Sequence, residues 1–121
     1  MENDRCQYGC PVEATLDVIG GKWKAIILYK LLERPRRFGG LKRELPAITQ
    51  RMLTLQLREL EADGIVHREI YKQIPPKVEY FLTDFGKTLE PILLAMLTWG
   101  DQYTSQVIER KSTRQIQPVS Y

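Results

Sequence analysis

Residues 48–61 have the sequence Ile-Thr-Gln-Arg-Met-Leu-Thr-Leu-Gln-Leu-Arg-Glu-Leu-Glu, and this stretch decides the fold. Thr49 follows Pro46 and can cap a helix, because a threonine oxygen accepts a hydrogen bond from an unpaired N–H of the first turn. Gly64 can end the same helix in a left-handed conformation. Apolar residues recur on the inner face at helical spacing: Met52, Leu53, Leu57 and Leu60. The stretch therefore predicts an amphipathic helix.

The outer face of this predicted helix carries Gln50, Arg51, Thr54 and Arg58 on a single stripe. Such a stripe at a helix start is typical of a helix that enters the DNA major groove, where arginine pairs with guanine and glutamine with adenine. Leu55 lies on the same polar face; contact with a thymine methyl group would explain it, and burial against the third helix or against a hairpin wing that follows this helix is the alternative. The predicted base-reading residues are Thr49, Gln50, Arg51, Thr54 and Leu55. An ordinary solvated surface helix is the competing interpretation.

Basic residues surround this helix. Between positions 34 and 58 lie seven arginines and lysines against one acidic residue, Glu44, although the net charge of the chain is only +3. A local cationic block on a nearly balanced protein indicates a face that binds a polyanion, unless the cluster is fortuitous. The residues predicted to contact the DNA backbone are Arg36, Arg37, Lys42, Arg43, Arg58, Lys72, Gln73 and Lys77.

The order of the remaining elements predicts the fold class. Helices are expected from Pro11 to the Gly20-Gly21 pair, at 22–33, at 38–45, at the stretch above, and from the Thr83 cap to about Ile108 with Pro91 inside. Strands rich in β-branched residues are expected at 65–71 and 78–82, joined by a basic loop. The chain is therefore predicted to be mainly α (α+β), a winged helix-turn-helix with extra N- and C-terminal helices that form a dimer.

Four segments of the chain carry a family resemblance: Cys10-Pro11-Val12-Glu13 with Gly20-Gly21-Lys22-Trp23; Arg37-Phe38 with Leu41 and Leu45; residues 48–53 with 57–61; and 64–68 with 75–80 and Leu82-Thr83. Their order and spacing over roughly residues 10–103 resemble the HxlR-type transcriptional regulators, bacterial winged-helix proteins. The resemblance implies a dimeric DNA-binding regulator, often a repressor, and often one that responds to thiol-reactive electrophiles or oxidants. It also implies that Cys10 is the sensor.

Cys10 directly precedes the predicted first helix. A thiol at this position lies near unpaired backbone N–H groups and the positive end of the helix dipole, which favour the reactive thiolate. A partly buried, inert thiol is the alternative. Cys6 is a candidate resolving thiol. Two thiols and one histidine make a poor zinc set, so neither a metal nor a cofactor is predicted.

The last predicted helix carries more apolar surface than a small domain covers. Its predicted dimer-interface residues are Leu89, Leu93, Met96, Trp99 and Tyr103. A two-fold dimer places two recognition helices about one DNA turn apart, which matches a palindromic operator. Alternatively, Trp23, Tyr29, Trp99 and Tyr103 line a ligand pocket between helices.

Length and composition restrict the function. The 121 residues, 43% hydrophobic and 27% charged, suit one globular domain. We expect a flexible segment at 1–9, the domain at 10–108 and a polar tail at 109–121. No apolar run has the length of a membrane span, and no secretory segment is recognisable at the N-terminus, so a cytoplasmic protein is expected. The leading hypothesis is a thiol-responsive regulator that is not an enzyme; a winged-helix module that binds protein without reading DNA and a thiol enzyme using Cys10 are the alternatives.

Overall fold

The computed structural model describes residues 9–116. Its elements are α1 Pro11–Ile19, α2 Lys24–Glu33, α3 Phe38–Glu44, α4 Gln50–Ala62, β1 Val66–Tyr71, β2 Lys77–Leu82, α5 Asp84–Lys87 and α6 Glu90–Ile116. This order confirms the predicted winged helix-turn-helix, with α3 and α4 as the helix pair and the β1–β2 hairpin as the wing. Residues 9–90 form one compact unit, and residues 91–116 form another. Among the helices of residues 9–116, none combines the length and the hydropathy that a membrane span requires.

The ends of α1 and α4 follow from their local sequence. Pro11 occupies the start of α1, where its missing N–H costs no hydrogen bond. The Thr49 hydroxyl accepts a hydrogen bond of 3.0 Å from the Met52 N–H and so caps α4. After α4 the chain turns at Gly64 with φ +74°, a conformation that glycine adopts without steric cost. The predicted cap and terminator of this helix are both confirmed.

The wing is a regular antiparallel hairpin. Its register runs from Val66 paired with Leu82 to Tyr71 paired with Lys77, and residues 72–76 form the loop, in which the Ile74–Pro75 peptide bond is cis. Arg36 extends the pairing outside the named strands, because its backbone and that of Tyr80 exchange N–H to carbonyl hydrogen bonds of 2.9 and 2.8 Å. The wing base is thereby attached to the segment between α2 and α3.

The predicted final helix is wrong in two respects. Thr83 caps only the short α5, since its hydroxyl accepts from the Gly86 N–H at 2.9 Å and donates to the Gly64 carbonyl at 2.6 Å. A new helix, α6, then begins at Glu90, so that Pro91 lies in a first turn, where proline is tolerated. The helix also continues to Ile116 instead of ending near Ile108. Residues 109–111 are good helix formers, and helix propensity extends the element although the apolar pattern has stopped.

The core of the first unit holds α4 in place. Leu53, Leu57 and Leu60 are fully buried on its inner face, whereas Met52 is only half-buried. Buried aliphatic residues from the other elements surround them: Ile27, Leu28, Leu31, Leu41, Ile65, Val66 and Leu82. An ion pair of 2.7 Å between Lys24 and Glu59 adds a polar link from α2 to α4. Packing of the inner face therefore fixes which side chains of α4 point outward.

Candidate nucleic-acid interface

The outer face of α4 forms a continuous polar surface. Six predicted DNA-contacting residues line one shallow concavity together with Met52: Thr49, Gln50, Arg51, Thr54, Leu55 and Arg58. Gln50, Arg51 and Arg58 are exposed at its surface. Leu55 is 46% exposed, so the alternative that it is buried against the wing or α3 is wrong. The structure thus brings the five predicted base-reading residues onto one surface.

Hydrogen bonds within α4 limit what two of these side chains offer. The Thr54 hydroxyl donates to the Gln50 carbonyl at 2.9 Å, so it presents lone pairs and a methyl group outward. The Thr49 hydroxyl accepts the capping hydrogen bond and keeps its own proton as a donor. The long amide of Gln50 and the guanidinium of Arg51 are the exposed groups best suited to bidentate pairing with a base edge.

A second concavity lies between the segment before α3, α3 itself and the first residues of β2, which follow the wing loop. Four of the predicted backbone-contacting residues, Arg36, Arg37, Arg43 and Lys77, line it, together with the acidic residue Glu79. Arg34 lines it as well, although it is not one of the predicted DNA-contacting residues. Its position at the start of the cationic block is the signal in the sequence that could have added it to that set.

Arg36 is a correction to the predicted DNA-contacting set. It is only 5% exposed, and its guanidinium is bound by two carboxylates, that of Glu33 at 2.6 Å and that of Glu44. The hydrogen bond from Arg36 holds the pKa of Glu44 below its usual value of 4.5. The Nε atom of Arg36 is buried without a hydrogen-bond partner among the described residues. Arg36 is therefore a structural cation between α2, α3 and the wing, withdrawn from any phosphate.

Three other predicted backbone-contacting residues lie outside the second concavity. Lys42 is half-buried on α3, and Lys72 and Gln73 are exposed in the wing loop. Lys77 is ordered by its neighbours, because its Nζ lies 3.4 Å from the Glu79 carboxylate and 5.1 Å from the centre of the Tyr71 ring. These contacts partly neutralise the charge of Lys77. The exposed Lys72 is therefore the wing cation that is more available to a phosphate.

Cys10 is exposed and forms the N-cap of α1 through its extended backbone, and its side chain makes no capping hydrogen bond. A carboxylate lies close by, since Glu13 accepts a hydrogen bond of 3.0 Å from the Gly9 N–H. Cys6, the predicted resolving thiol, lies outside the described residues. Within residues 9–116, no group of three or more His, Cys, Asp or Glu side chains is arranged to hold a metal ion.

The α6 helix, considered by itself, presents an apolar surface. Trp99 is 58% exposed and its ring lies 5.1 Å from that of Tyr103, which is half-buried, as Leu89 is. Met96 is exposed as well. Leu93 is a second correction, because at 2% exposure it is not one of the exposed apolar side chains of this helix.

Comparison with known proteins agrees with this geometry. A family model described as HxlR-like helix-turn-helix matches residues 18–108. The HTH-type transcriptional regulator YybR of Bacillus subtilis is 69% identical over 93 residues, which cover 77% of this chain and 74% of YybR. The solved structure of the redox regulator HypR in its reduced form is 62% identical, with a TM-score of 0.78, over 83% of this chain and 99% of that chain. The reduced form of the regulator YodB from B. subtilis is 35% identical, with a TM-score of 0.69, over 79% of this chain and 95% of that chain.

Proposed function

The chain belongs to the HxlR-like helix-turn-helix family and is a transcriptional regulator of the helix-turn-helix type, and from this premise we propose that it is a homodimeric repressor. It binds a palindromic operator with sequence specificity, and oxidants or electrophiles change its affinity through Cys10. The observation that carries the proposal is the outer face of α4, where five candidate base-reading side chains share one exposed surface.

Base reading is assigned to the first turns of α4. The exposed Arg51 and Gln50 are the residues that discriminate guanine and adenine, and the exposed Leu55 contacts a thymine methyl group. Thr54 adds an acceptor and a methyl group of its own, because its hydroxyl proton is engaged by the Gln50 carbonyl. The buried inner face of α4 fixes this set in one orientation before DNA arrives, which lowers the entropy cost of recognition.

Phosphate contacts are assigned to the second concavity and the wing. Arg34, Arg37, Arg43 and Lys77 meet at one surface, so their charges attract the backbone without reading sequence. Lys42, Arg58 and Lys72 extend this surface on α3, α4 and the wing. An interaction module that bound only protein would not need this concentration of cations.

Dimerisation is assigned to α1 and α6. Both helices carry apolar side chains that are exposed to water in the single chain: Met96 and Trp99 on α6, and Val12 and Leu16 on α1. A second copy of the chain covers both helices by two-fold symmetry, and the pair of α4 helices then reads two half-sites.

The redox response is assigned to Cys10 on two grounds. Its thiol is exposed at the start of α1, where reagents reach it. Among the similar proteins, HypR is described as a redox regulator and has been solved in oxidized and reduced forms, and YodB has been solved after diamide treatment. Because α1 belongs to the proposed dimer interface, a modified Cys10 changes packing there and alters the spacing of the two α4 helices.

The DNA part of the proposal is tested by selecting random duplexes with the purified protein and sequencing those retained. A palindromic motif is expected for the parent, and Gln50→Ala should lose the preference for one base in each half-site. Lys111→Ala, a substitution of an exposed residue on α6, should keep the parent's motif. Retention of duplexes without any enriched sequence would refute specific binding.

The redox part is tested by measuring affinity for the selected operator before and after diamide. The parent should change affinity, Cys10→Ser should not respond, and Cys6→Ser should keep at least part of the response. Mass spectrometry of labelled thiols identifies which cysteine reacts. A Cys10→Ser variant that responds like the parent would remove Cys10 from the mechanism while leaving DNA binding in place.

A further inference from the structure

The tip of the wing is apolar where a hairpin loop is ordinarily polar. Gly, Pro, Asn, Asp and Ser dominate such loops; residues 73–76 are Gln-Ile-Pro-Pro, so the two prolines are ordinary loop residues and Ile74 is the exception. The Ile74 side chain is 101% exposed, so it packs against nothing in the chain. Pro75 and Pro76 beside it are exposed as well. Folding of this domain gives no reason for an isoleucine at this position.

We propose that Ile74 is an apolar wedge that the wing inserts between base pairs in the DNA minor groove, next to the major groove read by α4. This inference rests on the proposed operator binding and adds to it a deformation of the DNA. Isoleucine and proline are among the side chains that minor-groove proteins insert between base steps, which partly unstacks the step and kinks the duplex.

The charges around the tip complement a minor groove. Lys72 precedes the tip and Lys77 follows it, so cations flank an apolar point. A minor groove has the matching arrangement, with phosphates along both walls and the faces of stacked bases between them. Lys77 is held by Glu79 and Tyr71, and Lys72 is exposed to meet the opposite wall.

The wing holds the tip in position before it meets DNA. The β-ladder is paired up to Tyr71 and Lys77, so only the loop itself is outside the sheet. Pro75 and Pro76 have fixed φ angles, which reduces the freedom that the loop loses on insertion. A pre-ordered tip of this kind suits a wedge better than a flexible loop does.

The length of the wing matches the distance to the adjacent groove. An ion pair of 3.5 Å between Arg68 and Glu61 anchors β1 near the C-terminal end of α4. From Arg68 the strand continues for three residues to Tyr71, roughly 10 Å at about 3.3 Å per residue, and the loop of residues 72–76 projects beyond it. Half a turn of DNA, the separation between neighbouring major and minor grooves, is about 17 Å along the axis. The tip therefore reaches the minor groove beside the half-site.

A second copy of the chain is a less suitable partner for this tip than DNA is. The flanking lysines of two wings would repel each other, and one isoleucine with two prolines forms only a small apolar area. Phosphates instead attract both lysines, so the same charges that oppose contact between copies favour DNA.

The test uses the operator duplex selected by the parent protein, labelled at its ends with a fluorescent donor and acceptor. 2-Aminopurine replaces adenine at steps that flank the half-site, because its fluorescence rises when a base unstacks. Ile74→Ala is compared with Ile74→Leu, which keeps a wedge, and with Ile70→Ala, which removes an exposed isoleucine of β1 away from the tip. All three side-chain changes lie at exposed positions, so circular dichroism should be unchanged.

We expect the parent and Ile74→Leu to raise the 2-aminopurine signal and bring the duplex ends closer. Ile74→Ala should lose both signals and about tenfold in operator affinity, the effect of one buried aliphatic side chain, while Ile70→Ala matches the parent. Equal bending and unstacking by Ile74→Ala and the parent would overturn the wedge. A loss of affinity without any bend in the parent complex, or a change in subunit association by Ile74→Ala, would also overturn it. A parent protein that enriches no sequence would instead refute the proposed operator binding itself.

Discussion

Substitutions of the neighbouring residues Arg36 and Arg37 should have different effects, one on stability and the other on DNA binding. Both belonged to the same predicted set, but Arg36 is buried between two carboxylates whereas Arg37 is exposed at the second concavity. The perturbation is Arg36→Met, which keeps an apolar side chain of similar length and removes the guanidinium. Arg37→Met is the matched control, because it makes the same chemical change one residue away.

The structure sets the size of the effect. Hydrogen bonds to charged groups contribute about 1.5–3 kcal/mol each, but the side chain of Glu33 is 71% exposed, so solvent screens its pair with Arg36. Removing the unpartnered Nε recovers about 1 kcal/mol of desolvation. Both carboxylates can be rehydrated after the change. The free energy of unfolding therefore falls by less than the ~3–5 kcal/mol expected when a buried charge is left without its partner. We expect Arg36→Met to lower the free energy of unfolding by about 1–2 kcal/mol.

Denaturant unfolding and salt-dependent operator binding are the assays. Arg36→Met should lower the midpoint and leave the slope of log affinity against log salt unchanged. Arg37→Met should keep the free energy of unfolding within about 0.5 kcal/mol of the parent's. It should flatten the slope of log affinity against log salt by about 0.9 per half-site. Stability of Arg36→Met equal to or above the parent's, or a flattened salt slope for it, would refute the assignment of Arg36 as a structural cation.

The pH dependence provides an internal check. Because Arg36 holds the pKa of Glu44 below 4.5, the ionised carboxylate stabilises the folded state at pH values above 4.5. That contribution is lost as the pH falls below 4.5 and through the folded-state pKa, where Glu44 takes up a proton. The stability difference between the parent and Arg36→Met should therefore shrink over that acid range. A difference that stays constant down to the acid transition would show that Glu44 is not coupled to Arg36.

Three further predictions address other parts of the molecule. Arg51→Ala should weaken specific binding by ~1–3 kcal/mol with an unchanged circular dichroism spectrum, and unaltered operator affinity in a gel-shift titration would contradict its role in base reading. Met96→Glu should make the protein monomeric and abolish operator binding, because it places a charge in the proposed α6 interface; sedimentation of the parent as a monomer at micromolar concentration would exclude that interface. Gly86→Ala should destabilise the fold by at least ~1–3 kcal/mol, because an added Cβ would lie 2.1 Å from the Ile65 carbonyl oxygen, whereas Gly40→Ala, with open space around it, should be neutral or stabilising in thermal unfolding.

Local sequence chemistry predicted several features that the structure confirms. The cap at Thr49, the turn at Gly64 and the two wing strands depend on neighbouring residues, so they can be predicted without knowledge of the fold. The outward stripe of α4 was predictable for the same reason, since helical periodicity divides inner from outer faces. The break between α5 and α6 was also local: a new helix begins at Glu90, just before Pro91, whereas one continuous helix was predicted from the Thr83 cap.

The sequence by itself determined which elements form and which side of each helix is apolar, because caps, turns and periodicity act over a few residues. The tertiary structure alone decided what each charge does. Arg36 lies between the carboxylates of Glu33 and Glu44 only when α2 and α3 come together. The sequence alone therefore does not show that this arginine is buried. Arg34 joins the second concavity for the same reason, since the start of β2 and α3 lie beside it only in the folded protein.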